Sequence, residues 1–187
     1  MSRPPAARDA VLDAFERLLM EDGERAATLD ATARAAGVSK GGLLYHFANR
    51  EALIEGLLAR FSSLVDDDLA VMAEAPEGAV AYFVRSSVAN DTAFERAGVA
   101  AARLAQAGHP SAVRMIRSVR ERWFDAVRRH VADPTVALAI TLIGDGLYYH
   151  SALRAEVDAS ALETDDIGPA QMDGLVALLE RIAQTSR

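Results

Sequence analysis

The sequence predicts an all-α protein of about nine helices, with a small N-terminal group of short helices followed by a larger helical region. Three observations carry that expectation. Apolar residues recur at three- and four-residue spacing through nearly every segment. Gly and Pro stand where helices would stop and start, as in Gly23, Gly37, Gly108-His109-Pro110, Asp133-Pro134 and Gly168-Pro169. No run alternates apolar and polar residues convincingly enough to read as a strand.

Residues 1–7 read as a loose arm carrying Arg3, with Pro4 and Pro5 opposing helix. From Arg8 to Asp22, Val11, Leu12, Phe15, Leu18 and Leu19 fall on one helical face. Gly23 ends that helix. Thr28 can cap a second, short helix, with Asp30 in its first turn where the helix dipole favours an anion. Leu29, Ala33 and Ala36 form its inner face. Gly37 permits the turn at Ala36-Gly37-Val38, and Ser39 caps a third helix to about His46. Val38, Leu43 and Phe47 point its inner side at the core. Asn49 caps a long fourth helix from Arg50 to about Ala75, with a stripe of Leu53, Leu57, Leu58, Phe61, Leu64, Val65, Leu69 and Met72. Further helices are expected at 80–89, 92–106, 110–131, 134–157 and 169–183. Residues 158–168, DASALETDDIG, read as an acidic polar loop.

Composition bounds the function classes. Hydrophobic residues make up 51% of the 187 and charged residues 25%, with mean hydropathy +0.07, which is enough apolar material for a sizeable core. No window approaches the roughly 18 apolar residues of a membrane span. The start MSRPPAARDA lacks the apolar stretch of a signal peptide, so a cytoplasmic protein without membrane partners is the default expectation. With no cysteine there is no disulfide framework and no thiolate metal site. Net charge is −7, all of it beyond residue 50, since residues 1–50 hold seven basic and seven acidic side chains. An overall negative charge therefore does not exclude a nucleic-acid partner, because binding needs local positive charge. The single lysine, Lys40, lies in the neutral region.

Two short helices about a glycine turn form a helix-turn-helix pattern. Within it, AGVSKGGLLYHFANREAL resembles the N-terminal signature of the TetR family of transcriptional regulators. Two positions depart from that signature: Leu44 stands where the family usually has Tyr, and Thr32 where it often has Ile. The resemblance implies a helix-turn-helix DNA-binding domain at 1–50 and a ligand-sensing and dimerisation domain at 51–187. It implies a ligand-responsive regulator, a homodimeric repressor that binds a pseudo-palindromic double-stranded DNA operator and is released by a small, lipophilic effector.

The residues support this chemistry independently. Ser39-Lys40-Gly41-Gly42 is a thin polar edge suited to a major groove. Lys40 can donate to guanine or to phosphate, and Tyr45 can reach a base edge, a thymine methyl or a phosphate. By resemblance, Thr28 and His46 occupy phosphate-contacting positions and Arg50 a phosphate clamp; Arg3 and Arg8 add arm contacts. His46 alone could equally be a packed core histidine. Arg25 and Arg34 read as solvated. In the C-terminal region Leu175, Leu178, Leu179 and Ile182 form a stripe suited either to a dimer interface or to packing within the chain. Phe83, Phe94, Leu104, Met115, Trp123, Phe124, Ile143, Tyr148 and Tyr149 are candidates for an effector cavity, or for plain core. Asp145, between VALAITLIG and GLYY, needs a partner if buried: Arg103, Arg120, His150 or a cationic ligand.

The Arg-rich segment RMIRSVRERWFDAVRRH interleaves Glu121 and Asp125 with Arg117 and Arg129, the pattern of a solvated face. A DNA-binding regulator controlled by a protein partner, without a small-molecule pocket, is the alternative. An enzyme is not expected: His109, His130 and His150 show no ligand spacing, and there is no nucleophile elbow or phosphate loop. No cofactor and no metal are expected.

Overall fold

The structure, a computed structural model, describes residues 4–88, 92–155 and 167–185, excepting the side chains of 4–6 and 150–155. Arg3, the side chain of His150 and most of the acidic loop fall outside these. The described residues form nine helices: α1 (Pro4–Glu21), α2 (Leu29–Ala35), α3 (Lys40–His46), α4 (Arg50–Ala73), α5 (Ala79–Ser86), α6 (Ala93–Gln106), α7 (Pro110–Arg128), α8 (Pro134–Ala155) and α9 (Pro169–Thr185).

Local chemistry sets most boundaries. The Thr28 hydroxyl accepts the Ala31 N–H at 3.2 Å, Ser39 that of Gly42 at 3.0 Å, and Asn49 Oδ1 that of Ala52 at 2.9 Å. Thr92 and Asp133 cap α6 and α8 in the same way. Gly37 takes φ +69 between α2 and α3, a left-handed value that disfavours a side chain. One expectation fails at the start of the chain. Pro4 and Pro5 do not oppose helix but open α1, because the first-turn N–H groups have no intrahelical acceptor and proline loses nothing there.

The helices group into two compact units, Met1–Asp66 with Asp91–Val119 and Asp67–Asn90 with Arg120–Arg187. α4 and α7 contribute to both. These units cut the chain differently from the division expected at residue 50, because α6 lies along α1 and joins the first unit. In that unit Val11, Leu12, Phe15, Leu19, Leu43, Leu53, Ile54 and Leu57 are fully buried. Arg60 of α4 ties down α1 through Asp13 (2.5 Å), Glu16 (3.1 Å) and Asp9 (3.4 Å). Burial pushes the Glu16 carboxyl above its ordinary value, against the opposing pull of the Arg60 guanidinium. In the second unit α5 packs on α8 and α9 around Phe83, Val84, Val127, Ile140 and Val176. Gly144 admits Phe83: a Cβ there would lie 2.5 Å from its ring.

Candidate nucleic-acid interface

The outer edge of α3 is exposed and its inner edge is anchored. Leu43 is fully buried and Phe47, its C-terminal cap, nearly so, while Ser39, Lys40, Gly41 and Tyr45 face solvent. Tyr45 is 82% exposed. His46 lies half-buried with its ring edge-on to Tyr45 at 5.1 Å. Leu44 is 36% exposed beside them. A Cβ on Gly42 would stand 3.3 Å from Ser39 Oγ, so this glycine leaves room for the capping bond. Both capping hydroxyls, Thr28 and Ser39, accept from backbone and keep their own proton to donate.

Every basic side chain expected at this interface whose contacts are described already has a protein partner. Lys40 Nζ lies 3.0 Å from Asp30, both well exposed. Arg50 Nη2 donates to Glu24 Oε1 at 2.6 Å and to the Glu24 carbonyl at 3.1 Å. Glu24 Oε1 also meets His109 Nε2 at 3.2 Å. These bonds from His109 and Arg50 hold the Glu24 carboxyl below its ordinary value. Arg8, expected as an arm contact, instead lays its guanidinium 5.3 Å from the centre of the Phe47 ring. Arg25 and Arg34 are exposed, as their solvated reading expects. Sequence spacing gives no signal for Glu24 and His109, which lie 26 and 85 residues from their partners.

Thr32 is one of the two positions that depart from the family signature. It is fully buried, yet its hydroxyl does not bond back to the helix and has no partner.

The effector candidates divide between the two units. Phe94, Leu104 and Met115 belong to the first unit, where Phe94 leans on Phe61 at 5.8 Å and Leu104 is fully buried. Phe83, Trp123, Phe124, Ile143, Asp145, Tyr148 and Tyr149 belong to the second. There Phe83 packs against Trp123 at 5.5 Å, and Ile143 and Tyr148 are half-buried. Asp145 is not in a cavity: it is exposed and pairs with Arg120 at 3.0 Å. With its charge answered inside the chain, it provides no reason to expect a cationic ligand. Tyr149 is exposed on the same face. An open cleft of about 220 Å³, lined by Gly78, Ala79, Val80, His130, Glu180, Ala183 and Gln184, holds none of the predicted residues.

The expected C-terminal stripe divides. Leu179 lies in the chain's own core and Leu175 packs against it, whereas Leu178 and Ile182 are exposed. Sequence reading missed a second exposed row on α8: Leu138, Leu142 and Tyr149, with Asp145 between them at helical spacing.

Among the described residues no helix is long and apolar enough to cross a membrane, and no group of three or more His, Asp or Glu could hold a metal ion.

The likeness to known proteins agrees with this geometry. A family model described as bacterial regulatory proteins, tetR family, matches residues 11–57, and one described as a tetracyclin repressor-like C-terminal domain matches residues 77–184. None of the curated proteins is a significant match to the chain. Among solved structures, GusR of Salmonella enterica has a TM-score of 0.68 at 20% identity, covering 98% of each chain. A transcriptional regulator from Rhodococcus sp. Rha1 has a TM-score of 0.64 at 20% identity, covering 98% of this chain and 97% of that one. The multidrug binding protein EbrR, complexed with malachite green, has a TM-score of 0.65 at 20% identity, covering 94% of this chain and 97% of that one. At such identities these structures speak for the fold alone. The family models together span most of the chain, including the exposed α3 edge. The chain belongs to the TetR family of DNA-binding transcriptional regulators, which are not enzymes.

Proposed function

We propose that this regulator is a homodimeric repressor that reads a pseudo-palindromic operator with α3 and is released by a small lipophilic effector. The observation that carries the reading is the exposed edge Ser39, Lys40, Gly41 and Tyr45 on a helix anchored by Leu43 and Phe47. In this reading Lys40 and Tyr45 read bases, while Thr28, Ser39, His46 and Arg50 bind phosphate and the slim Gly41-Gly42 turn lets the backbone approach. Residues 1–50 make the DNA contacts and 51–187 sense and dimerise. One subunit touches half a site, so two copies would set their recognition helices about 34–36 Å apart. The exposed rows Leu138, Leu142 and Tyr149 on α8, and Leu178 and Ile182 on α9, support a twofold interface there. Selection of genomic fragments by the purified protein gives the operator. Lys40→Ala and Tyr45→Ala should each lower affinity for the selected fragment by about tenfold. Unchanged affinity in both would refute the assignment of the reading edge.

The effector reading draws on apolar side chains: Phe94, Leu104 and Met115 in one unit, Phe83, Trp123, Ile143 and Tyr148 in the other. The relative EbrR is complexed with malachite green, and a bulky aromatic ligand suits such side chains. The second reading, control by a protein partner, is favoured by the close fit of Phe83 against Trp123 and Gly144. A thermal-shift screen of lipophilic cations, neutral compounds and anions separates them. Stabilisation by at least one class, together with release from the selected fragment, supports the effector. If none stabilises the protein, the partner reading stands.

A further inference from the structure

The guanidinium of Arg50 that would grip a phosphate already holds a carboxylate through Nη2. Its Nη2 donates both to Glu24 Oε1 (2.6 Å) and to the Glu24 main-chain carbonyl (3.1 Å). The same Oε1 accepts a second bond, from His109 Nε2 at 3.2 Å. A carboxylate only accepts, so Nε2 carries the hydrogen in that bond. Three distant parts of the chain therefore meet on one oxygen: the α1–α2 loop, the first residue of α4 and the turn between α6 and α7. That turn is firmly built, with Gly108 at φ +87 and the His109 N–H donating to the Leu104 carbonyl at 3.1 Å. His109 also stands immediately before α7, the helix that carries Met115 and Trp123.

Carboxylate and phosphate compete for a guanidinium by the same charge-assisted bonds. Resting on the reading of Arg50 as a phosphate clamp, we propose that Glu24 is a built-in competitor of DNA phosphate for Arg50, and that His109 sets the strength of that competition. While His109 shares the carboxylate, Arg50 is held less tightly and can turn to DNA. Without His109's share, Glu24 falls to Arg50 alone and the clamp closes on it. Glu24 and His109 are thus positioning residues that act on DNA through Arg50.

The test uses the full-length protein with a mixed-sequence 40-bp duplex and the selected genomic fragment, each over a salt series. Arg50→Ala should weaken binding and lower the salt slope by about one per subunit. Glu24→Gln, which keeps the side chain's size, should tighten binding by about three- to tenfold, and Asp22→Asn, an equal charge change nearby, by clearly less. On the Arg50→Ala background the extra gain of Glu24→Gln over Asp22→Asn should vanish. His109→Ala should weaken binding by about two- to fivefold with Glu24 present and leave Glu24→Gln unaffected. His109→Gln should restore binding toward wild type, because its amide can still donate. Thermal melts confirm that each variant is folded.

If Arg50→Ala changes neither affinity nor slope, the phosphate reading fails and the competition with it. If Arg50→Ala weakens binding but Glu24→Gln matches Asp22→Asn, or keeps its gain without Arg50, Glu24 acts only through the general field and the proposal is overturned while Arg50 keeps its role. If His109→Ala is neutral or tightens binding, His109 has no share in the control.

Discussion

A single methyl group added at Gly56 should disturb the reading helix from behind. Gly56 lies inside α4, and a Cβ built there would stand 2.5 Å from Phe47 Cε1 and 3.3 Å from Cδ1 and Cζ. Carbon atoms rest about 3.5–4.0 Å apart, so the ring must retreat by about 1 Å. It has little room, being 3% exposed with the Arg8 guanidinium 5.3 Å from its centre. Its backbone N–H is also bound to the Leu43 carbonyl at 2.9 Å, so a moving ring pulls on α3. Ala in place of Gly would on its own favour a helix interior by about 1 kcal/mol. Overpacking of this kind costs about 1–3 kcal/mol, so after that gain the net expectation is a loss of up to about 2 kcal/mol with weaker operator binding. Urea denaturation and DNA binding measured on the same preparation provide the check. Gly41→Ala is the control, because its added Cβ meets only Ser39 Oγ at 4.0 Å. It should not lower stability, yet it should weaken DNA binding if the α3 backbone approaches the bases. A Gly56→Ala protein that is more stable than wild type and binds DNA unchanged would refute the packing argument.

Thr32→Val should stabilise the protein by about 1–2 kcal/mol in thermal melts, because it replaces a buried hydroxyl that has no partner with a methyl of the same shape. A loss of stability would show that the hydroxyl is satisfied in solution. Acidification should expose the Glu24 contacts. The folded state holds this carboxyl below the ordinary 4.5, so it binds a proton less readily than the unfolded chain; its contribution is complete above 4.5 and is lost as pH falls through the folded value. Urea midpoints at pH 6 and about pH 3.5 should therefore fall less in Glu24→Gln than in wild type. Glu16 has the opposite sign: burial raises its carboxyl above 4.5, so its ionisation costs stability, and that cost disappears as pH drops toward 4.5. Leu142→Arg, in the exposed row of α8, should convert the proposed dimer to monomers in sedimentation equilibrium and abolish binding to a palindromic fragment while the chain stays folded in thermal melts.

The helices were legible because their stops are local chemistry. Thr28, Ser39, Asn49, Thr92 and Asp133 each cap the helix that follows them, and a cap needs only its neighbours. Pro4 and Pro5 misled because proline forbids a helix interior but not its first turn. On α8 hydropathy could not assign a face. The buried row of Ala137, Ile140, Thr141 and Leu147 is matched by the outward row of Leu138, Leu142 and Tyr149, so the helix is apolar on both sides and Asp145 looked enclosed. The α3 edge was legible because Gly41, Gly42 and the Ser39 cap are sequence-local. The partners of Arg50 were not, because Glu24 and His109 reach it only through the tertiary fold.

The even balance of seven basic and seven acidic residues in positions 1–50 gains a meaning from those partners. Lys40 and Arg50, the two cations proposed to meet DNA, are both already paired to an acid, but not equally. The Lys40–Asp30 pair is exposed on both sides, and such pairs contribute about 0–1 kcal/mol, so a phosphate or a guanine displaces Asp30 at little cost. Arg50 is half-buried and bonded to both the side chain and the main chain of Glu24, and must give up more. On the proposed reading Lys40 is therefore a standing contact, while Arg50 is one whose availability the rest of the protein can set. Arg50 lies at the N-terminus of α4, two hydrogen bonds away, through Glu24, from the turn that leads into α7.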